Sequence, residues 1–508
     1  MTSDARRRGR PSLAQNTIAQ SAPLLAAYLA SFISAPVVLG GLGLRAFGIW
    51  ALTGAIAQYA ALLDFGVGPS LARFVALYDA ESRPDLIGEV MSAGLTTSLL
   101  IGAALCALSV FAAGPLAHQV GGISPTGMRE LLLAATGMFV CSTLVNALTA
   151  YRVGLRRMVA PGVLATIGAG VNFSCSIGAV VLSSSLVLYG LANAAASLIT
   201  LLLTAAYVLG VRDGRAPYRR PTMATVKDLI SFSIRNQMQT AASLINNQTD
   251  KIVIAIFIGP AAAGAYELAN RVAAAARSIG VYTVSAMVPT LTVQLRHAKR
   301  ETWAGTYERL TASSTALAVP VLLLSAALAP ILLGAWLGSD PRHGAFVLAA
   351  LSIAYVLNAT TGVGFSFAYA RGFPGIPATA AVVTAVANIV LTATLAPLFG
   401  IWGVLTGTAI ALTAGAFLQV LLVHRRLGMP LSRYWRAVGP TLGRAVTLAA
   451  PVFICCSLLD GTSRTVKILA TCACAVGYVL LYVAISHRRG SLPAAISRRL
   501  AMLPITGS

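Results

Sequence analysis

Fourteen apolar stretches, each long enough to cross a lipid bilayer, follow one another along this 508-residue chain, and the connections between them leave no room for a separate water-soluble domain. One crossing takes roughly 20 apolar residues as a helix. Hydrocarbon offers a backbone no hydrogen-bond partners, so a spanning segment must satisfy its own N–H and C=O groups, as an α-helix does. The expected fold class is therefore all-α, a polytopic membrane protein of about 14 transmembrane helices. Composition agrees, with 57% hydrophobic and only 10% charged residues, where a soluble domain carries about 25% charge.

The stretches fall at 16–39, 47–69, 90–112, 131–151, 162–184 and 187–210, then at 229–258, 262–289, 311–336, 345–370, 376–397 and 401–423, and finally at 440–459 and 466–486. This divides the chain into an N-terminal segment (1–15), a first six-helix lobe (16–210), a basic linker (211–228), a second six-helix lobe (229–423), a basic loop (424–439), two C-terminal helices (440–486) and a tail (487–508). Six and six point to an internal duplication. An offset of 216 residues places Gly43 on Gly259, Gly48 on Gly264, Trp50 on Tyr266, Pro161 on Pro377 and Asn172 on Asn388. Both copies start from the same side of the membrane, so they are expected to be parallel repeats about an axis along the membrane normal, enclosing a central cavity. Asn172 and Asn388 are expected to hydrogen-bond between helices.

The net charge of +22 comes from 37 Lys and Arg against 15 Asp and Glu. In a soluble protein it would point to nucleic acid. Here its placement has another cause. If Arg6, Arg7, Arg8 and Arg10 hold the N-terminus in the cytoplasm, the termini and cytoplasmic connections carry 28 of the 37 bases and the opposite face only five. That bias fixes the orientation, with both termini cytoplasmic, and accounts for the charge without nucleic acid. The first stretch is too long for a signal-peptide apolar region and is expected to be retained. All seven cysteines fall inside apolar stretches and read as buried small hydrophobes.

Seven charged residues lie within spans: Asp64, Asp250, Glu267, Arg235, Lys251, Arg271 and Arg277. A charge at the bilayer centre costs about 2.5 to 3.5 kcal/mol on insertion scales, so such groups are expected to face protein or a watery cavity. At about 100° per residue, Arg235, Asn236, Gln239, Ser243, Asn246 and Asp250 share one face of the seventh span, and Lys251 is turned away from it. On the eighth, Glu267, Asn270, Arg271, Arg277 and Ser278 share an arc of about 120°. Two successive polar stripes read as cavity wall, with a cationic surface suited to an anionic head group. The expected substrate contacts are Arg271, Arg277, Lys251, Asn246 and Gln239. Asp250, Glu267 and Asp64 are candidates for ion coupling or for structural ion pairs. Asp250 could instead bridge to Arg271, Glu267 to Arg271 at i, i+4, and Asp64 could cap its helix or pair with Arg73.

Signatures of enzymes are missing: there is no G-x-x-x-x-G-K-[ST] and no G-x-S-x-G, and the histidines (118, 297, 343, 424 and 487) lie at connections or span ends. No catalytic residue and no metal site are expected. Asp79, Glu81, Asp85 and Glu89 gather in the second connection, where a solvated cytoplasmic face explains them.

The segment Leu62-Leu63-Asp64-Phe65-Gly66-Val67-Gly68, with Arg73 beyond it, resembles the acid-(Phe/Leu)-Gly signature after the second span of bacterial polysaccharide-biosynthesis flippases. Asp250-Lys251-Ile252-Val253-Ile254 through Gly259-Pro260, then Gly264-Ala265-Tyr266-Glu267-Leu268-Ala269-Asn270-Arg271, is similar to that family's hairpin between the seventh and eighth spans. These are Wzx-like oligosaccharide flippases of the MOP superfamily, which also holds the multidrug and toxic-compound extruders (MATE) and the lipid II flippases. The resemblance covers spans one to twelve. It implies two six-helix lobes around a cavity that opens alternately to each side of the bacterial inner membrane. The implied substrate is an oligosaccharide linked to undecaprenyl diphosphate, moved to the outer leaflet, with no cofactor and with H+ or Na+ coupling left open. Membrane lipids, a polysaccharide polymerase and glycosyltransferases are the implied partners. The alternatives are an ion-coupled small-molecule or drug exporter and a membrane-embedded transferase.

Overall fold

The computed structural model describes residues 13–59, 62, 67–155, 157–210, 219–285, 300–340 and 343–488. Among them are fourteen helices and no strand: α1 (Leu13–Tyr59), α2 (Val67–Ala80), α3 (Pro84–Val120), α4 (Pro125–Gly154), α5 (Val159–Leu182), α6 (Leu186–Gly210), α7 (Met223–Phe257), α8 (Pro260–Ser285), α9 (Arg300–Leu337), α10 (Gly344–Thr360), α11 (Gly362–Ala370), α12 (Gly375–Leu427), α13 (Leu431–Leu458) and α14 (Arg464–Arg488).

By length and apolarity, ten helical segments among the described residues are able to cross a membrane. The difference from fourteen has two physical sources. The 47-residue α1 and the 53-residue α12 each hold two spans, joined through a glycine out of helical geometry: Gly43 (φ 80°, ψ 162°) and Gly400 (φ 57°, ψ −137°). Glycine takes such angles without the clash a Cβ would bring. The other two spans are α7 and α8, 35 and 26 residues long, whose polar stripes lower their hydropathy below that of their neighbours.

By its contacts the chain falls into two units, Met1–Gly264 and Ala265–Ser508. In the first, α3 packs along α4, α1 along α5, and both α4 and α5 along α6, while α7 packs on α1, α2 and α3. The seventh span thus lies with the first unit, although the sequence repeat groups it with the second. Leu71, Val75, Ile87, Val90, Ala147 and Leu229 form a buried cluster where α2, α3, α4 and α7 meet. Between α5 and α6, Asn172 Nδ2 donates to Asn193 Oδ1 at 3.1 Å and Ser176 Oγ to the same oxygen at 2.8 Å, the interhelical amide bond expected of Asn172. Asn388 is buried in α12.

Glu89 corrects the reading of a solvated acidic connection. It is only 8% exposed, and its Oε1 accepts from Thr222 N at 3.0 Å and from the Thr222 and Thr225 hydroxyls at 2.5 Å each. Thr222 is the N-cap of α7, its hydroxyl accepting from Thr225 N. The carboxylate therefore holds the start of α7 on α3 and lies where the helix dipole favours negative charge.

Two glycines set the closest backbone approach in this unit. A Cβ on Gly264 would lie 2.6 Å from the Leu44 carbonyl oxygen and 3.1 Å from Gly48 N, and one on Gly48 would overlap the Pro260 carbonyl. These are repeat-related positions. Gly43 and Gly259, the other matched pair, both have positive φ.

In the second unit α9 is the central helix, largely buried, with α10, α13 and α14 packed around it. At its start Trp303 and Tyr307 pack with Phe367, Val423 and Leu427. His424, expected at a span end outside any core, is 1% exposed here: its Nε2 lies 3.1 Å from the Tyr307 hydroxyl and its Nδ1 3.2 Å from the Pro430 carbonyl. The α12–α13 connection folds the ring inward. The cysteines also differ from expectation. All seven are free, and Cys456 alone is buried, while Cys455 and Cys472 are exposed, as apolar side chains are when lipid is the surrounding solvent.

Gly48→Leu or Gly264→Val is expected to destabilise the first unit by about 1–3 kcal/mol or more, since the neighbour to be displaced is backbone. Gly54→Ala, whose Cβ would meet nothing within 4 Å, is expected to leave stability unchanged. Thermal transitions of the purified variants in detergent check both.

Candidate functional site

The polar residues of α7 reach two environments. Asp64 lies outside the described residues, and the side chains of Arg235 and Gln239 lie outside those described. Beyond them, Asn246 is half-buried, its Oδ1 buried without a hydrogen-bond partner among the described residues. Gln248 Nε2 donates to Gln58 Oε1 at 2.8 Å, and the Thr249 and Tyr59 hydroxyls lie 2.5 Å apart. Asp250 and Lys251 are both buried, an arrangement that costs several kcal/mol per ion unless partners and hydrogen bonds compensate it, roughly as for other buried pairs. The second span thus docks on α7 through Gln58 and Tyr59, two residues that the sequence did not single out. Gln248 lies about 160° around the helix from Asp250, so α7 is polar on more than the one face predicted.

The eighth span carries the second cluster, in the other unit. Arg271 Nε donates to Glu267 Oε1 at 3.0 Å, an i, i+4 ion pair with side chains 25% and 13% exposed. This is the i, i+4 pairing that the helical spacing offered. It neutralises both charges locally and fixes the Arg271 guanidinium along α8. Arg277 has its guanidinium carbon 4.7 Å from the centroid of the Tyr355 ring, and the Tyr355 hydroxyl donates to Asn270 Oδ1 at 3.0 Å. A single buried tyrosine of α10 therefore touches two of the predicted polar residues, one by its edge and one by its face. A ring's quadrupole attracts a cation over that face, an attraction that occupies none of the guanidinium's N–H donors. One turn on, a Cβ at Gly280 would come within 2.7 Å of Ala318 Cβ, so α8 also lies close against α9.

The same unit holds an apolar groove of about 870 Å³, bounded by Leu323, Phe346, Ile353, Trp402, Val446 and Phe453 of α9, α10, α12 and α13. Alanines line much of the rest, and Asp460 is the acid at its edge. Four helices contribute to it, and no one stretch of sequence announces it. Among the described residues no group of His, Cys, Asp and Glu is placed to hold a metal ion.

A membrane-embedded helical fold with charged residues on two consecutive spans defines a class, and comparison with known proteins places the chain within it. Residues 13–294 match the family described as polysaccharide biosynthesis protein, which is more than half of the 508 residues, and the chain belongs to that family. Its fold is that of the MOP-superfamily transporters. An inward-facing multidrug resistance MATE family transporter of that superfamily superimposes with a TM-score of 0.67 at 14% identity, covering 81% of this chain and 98% of the other. The lipid II flippase MurJ, in an inward closed conformation, gives 0.67 at 16% identity over 92% and 99%. A MOP superfamily transporter from Pyrococcus furiosus gives 0.50 at 15% over 79% and 95%. No curated protein matches the sequence significantly.

Tyr355→Phe keeps a ring under Arg277 and removes the bond to Asn270, which is expected to lower stability by about 0.5–1.5 kcal/mol. Tyr355→Leu also removes the ring and is expected to cost a further 0.5–2 kcal/mol or so. Thermal transitions of the two variants, each with and without Arg277→Ala, check this: the additional loss should vanish in the Arg277→Ala background.

Proposed function

We propose that this protein is a flippase carrying a polyprenyl-diphosphate-linked oligosaccharide from the cytoplasmic to the outer leaflet of the bacterial cytoplasmic membrane by alternating access. Its product would feed assembly of a cell-surface polysaccharide such as O-antigen, capsule or exopolysaccharide. The observation that carries this reading is Arg277, a guanidinium placed on the face of Tyr355 within a membrane helix, on the same helix as an Arg271 oriented by Glu267. Arginine presents planar, bidentate donors that match phosphate oxygens, and in low dielectric such contacts are stronger than in water. Family membership and the MurJ-like fold support the reading. The apolar groove of the same unit suits a prenyl chain, which need never leave a hydrocarbon environment.

In this scheme Arg271, Arg277, Lys251, Asn246 and Gln239 contact the substrate. Asp250, Glu267 and Asp64 are the acids available for H+ or Na+ coupling or for structural ion pairs. The protein works as a transporter and not an enzyme, in the cytoplasmic membrane with both termini on the cytoplasmic side. A polysaccharide polymerase and glycosyltransferases act beside it.

Deleting the protein in its host and asking on which leaflet lipid-linked oligosaccharide accumulates tests the proposal. Completed repeat units are expected on the cytoplasmic leaflet, with surface polysaccharide lost. Arg277→Ala at normal protein level is expected to fail to restore it, and Arg277→Lys to restore it in part. A repeat unit that is never completed would point to an enzyme, and an unchanged lipid-linked pool to a small-molecule exporter.

A further inference from the structure

The helices α13 and α14 lie outside the six-plus-six repeat, and the first turn of α14 shows what they add to it. Just past the ends of α3 and α9 stand two glycines in left-handed geometry, Gly122 (φ 73°) and Gly338 (φ 83°), which the 216-residue offset places on each other. An arginine lies against each. A Cβ on Gly122 would come within 2.6 Å of the Arg45 guanidinium carbon, and one on Gly338 within 3.4 Å of that of Arg464. Glycine leaves room for both the backbone angle and the flat cation. The two arginines have different origins. Arg45 follows the Gly43 turn of α1, and at the offset it falls on Ala261, so the second copy lacks it. Arg464 opens α14. Arg45, Arg464 and Lys467 are three of the five bases that the charge bias leaves on the face opposite the termini.

The last carbonyls of a helix have no partner within it, and Arg464 takes two of those of α9: its Nε donates to the Ala335 carbonyl at 3.3 Å and its Nη2 to that of Trp336 at 3.2 Å. Three residues on, Lys467 Nζ donates to Asp460 Oδ1 at 3.3 Å, and a Cβ on Gly334 would lie 3.2 Å from that nitrogen. Both cations stand where the dipole of α9 favours positive charge, and Asp460 brings the α13–α14 connection under the same clamp. Deeper in the unit, the fully buried Cys456 of α13 packs with Leu328 and Ile331 of α9 and with Cys474 of α14. We infer that Arg464 and Lys467 are a strap that fixes the α13–α14 pair to the end of α9, so that the pair moves with α9 as one body and supplies to α9 the arginine that α1 supplies to α3. Val446 and Phe453 of α13 wall the apolar groove, so the strap also holds that wall in place. The inference does not depend on what is transported.

Cys456 is a built-in reporter of the strap. The test follows its reaction with N-ethylmaleimide in the full-length protein in detergent, residue by residue by mass spectrometry, in a Cys455→Ala background that removes the neighbouring thiol. Arg464→Ala is expected to raise the rate at Cys456 about tenfold, equivalent to about 1.4 kcal/mol, while the rates at Cys141 and Cys175 of the first unit stay unchanged. Arg464→Lys keeps the charge without the fork and is expected to raise it about threefold, which keeps the test open where Arg464→Ala does not fold. Arg45→Ala is expected to leave Cys456 unchanged and to speed hydrogen exchange at the Gly121 amide, whose N–H donates to the Ala117 carbonyl at 3.0 Å. An unchanged rate at Cys456 in the Arg464 variants would overturn the inference. An equal rise at Cys141 and Cys175, or at Cys456 in Arg45→Ala, would overturn it as well, by making the effect a general loosening of the protein.

Discussion

A polypeptide in hydrocarbon must find every hydrogen-bond partner within itself, and the distribution of polar side chains in this protein follows from that. Many of its serine and threonine hydroxyls bond back to carbonyls of their own helix, as Thr200 does to Ala196 and Thr392 to Asn388. Larger polar groups are concentrated on α7 and α8. There Arg271 pairs with Glu267 one turn back on its own helix, while the others recruit a neighbouring helix: Gln248 takes Gln58, Thr249 takes Tyr59 and Asn270 takes Tyr355. Each of these interhelical bonds ties a polar helix to a defined partner, whereas apolar packing between alanine-rich faces would tolerate sliding.

Tyrosine has a recurring part in this. Its ring is apolar enough to lie among membrane helices, its face attracts cations and its hydroxyl bonds to amides and hydroxyls. Tyr355 accommodates Arg277, and Tyr207 accommodates Arg152. Tyr307 anchors the buried His424. In the first two cases the ring's face lies against a guanidinium, an attraction that an aliphatic side chain would not supply.

The spans were legible in the sequence because hydropathy is a local property. The single-residue turns at Gly43 and Gly400 had a trace there too, as glycines near span boundaries, and the repeat offset paired Gly43 with Gly259, both of positive φ. Arg277 and the Glu267–Arg271 pair were also found, since one is a charge where none is expected and the other follows helical spacing. Their surroundings were not legible. Tyr355 is 78 residues beyond Arg277 and Gln58 is 190 before Gln248, and neither stands out among its apolar neighbours. Glu89 was misread for the opposite reason. It stands in a run of acids whose other members suit water, and nothing local reveals that Thr222 and Thr225 close over it.

The glycine turns also determine how little chain lies between consecutive spans. On the face away from Leu13 the chain turns at Gly43 and at Gly400 without leaving the helix pair, and Ile258 and Gly259 suffice between α7 and α8. The longest connection there, between Leu337 and Gly344, has six residues. Connections this short leave little chain outside the apolar helices for a water-soluble partner to grip.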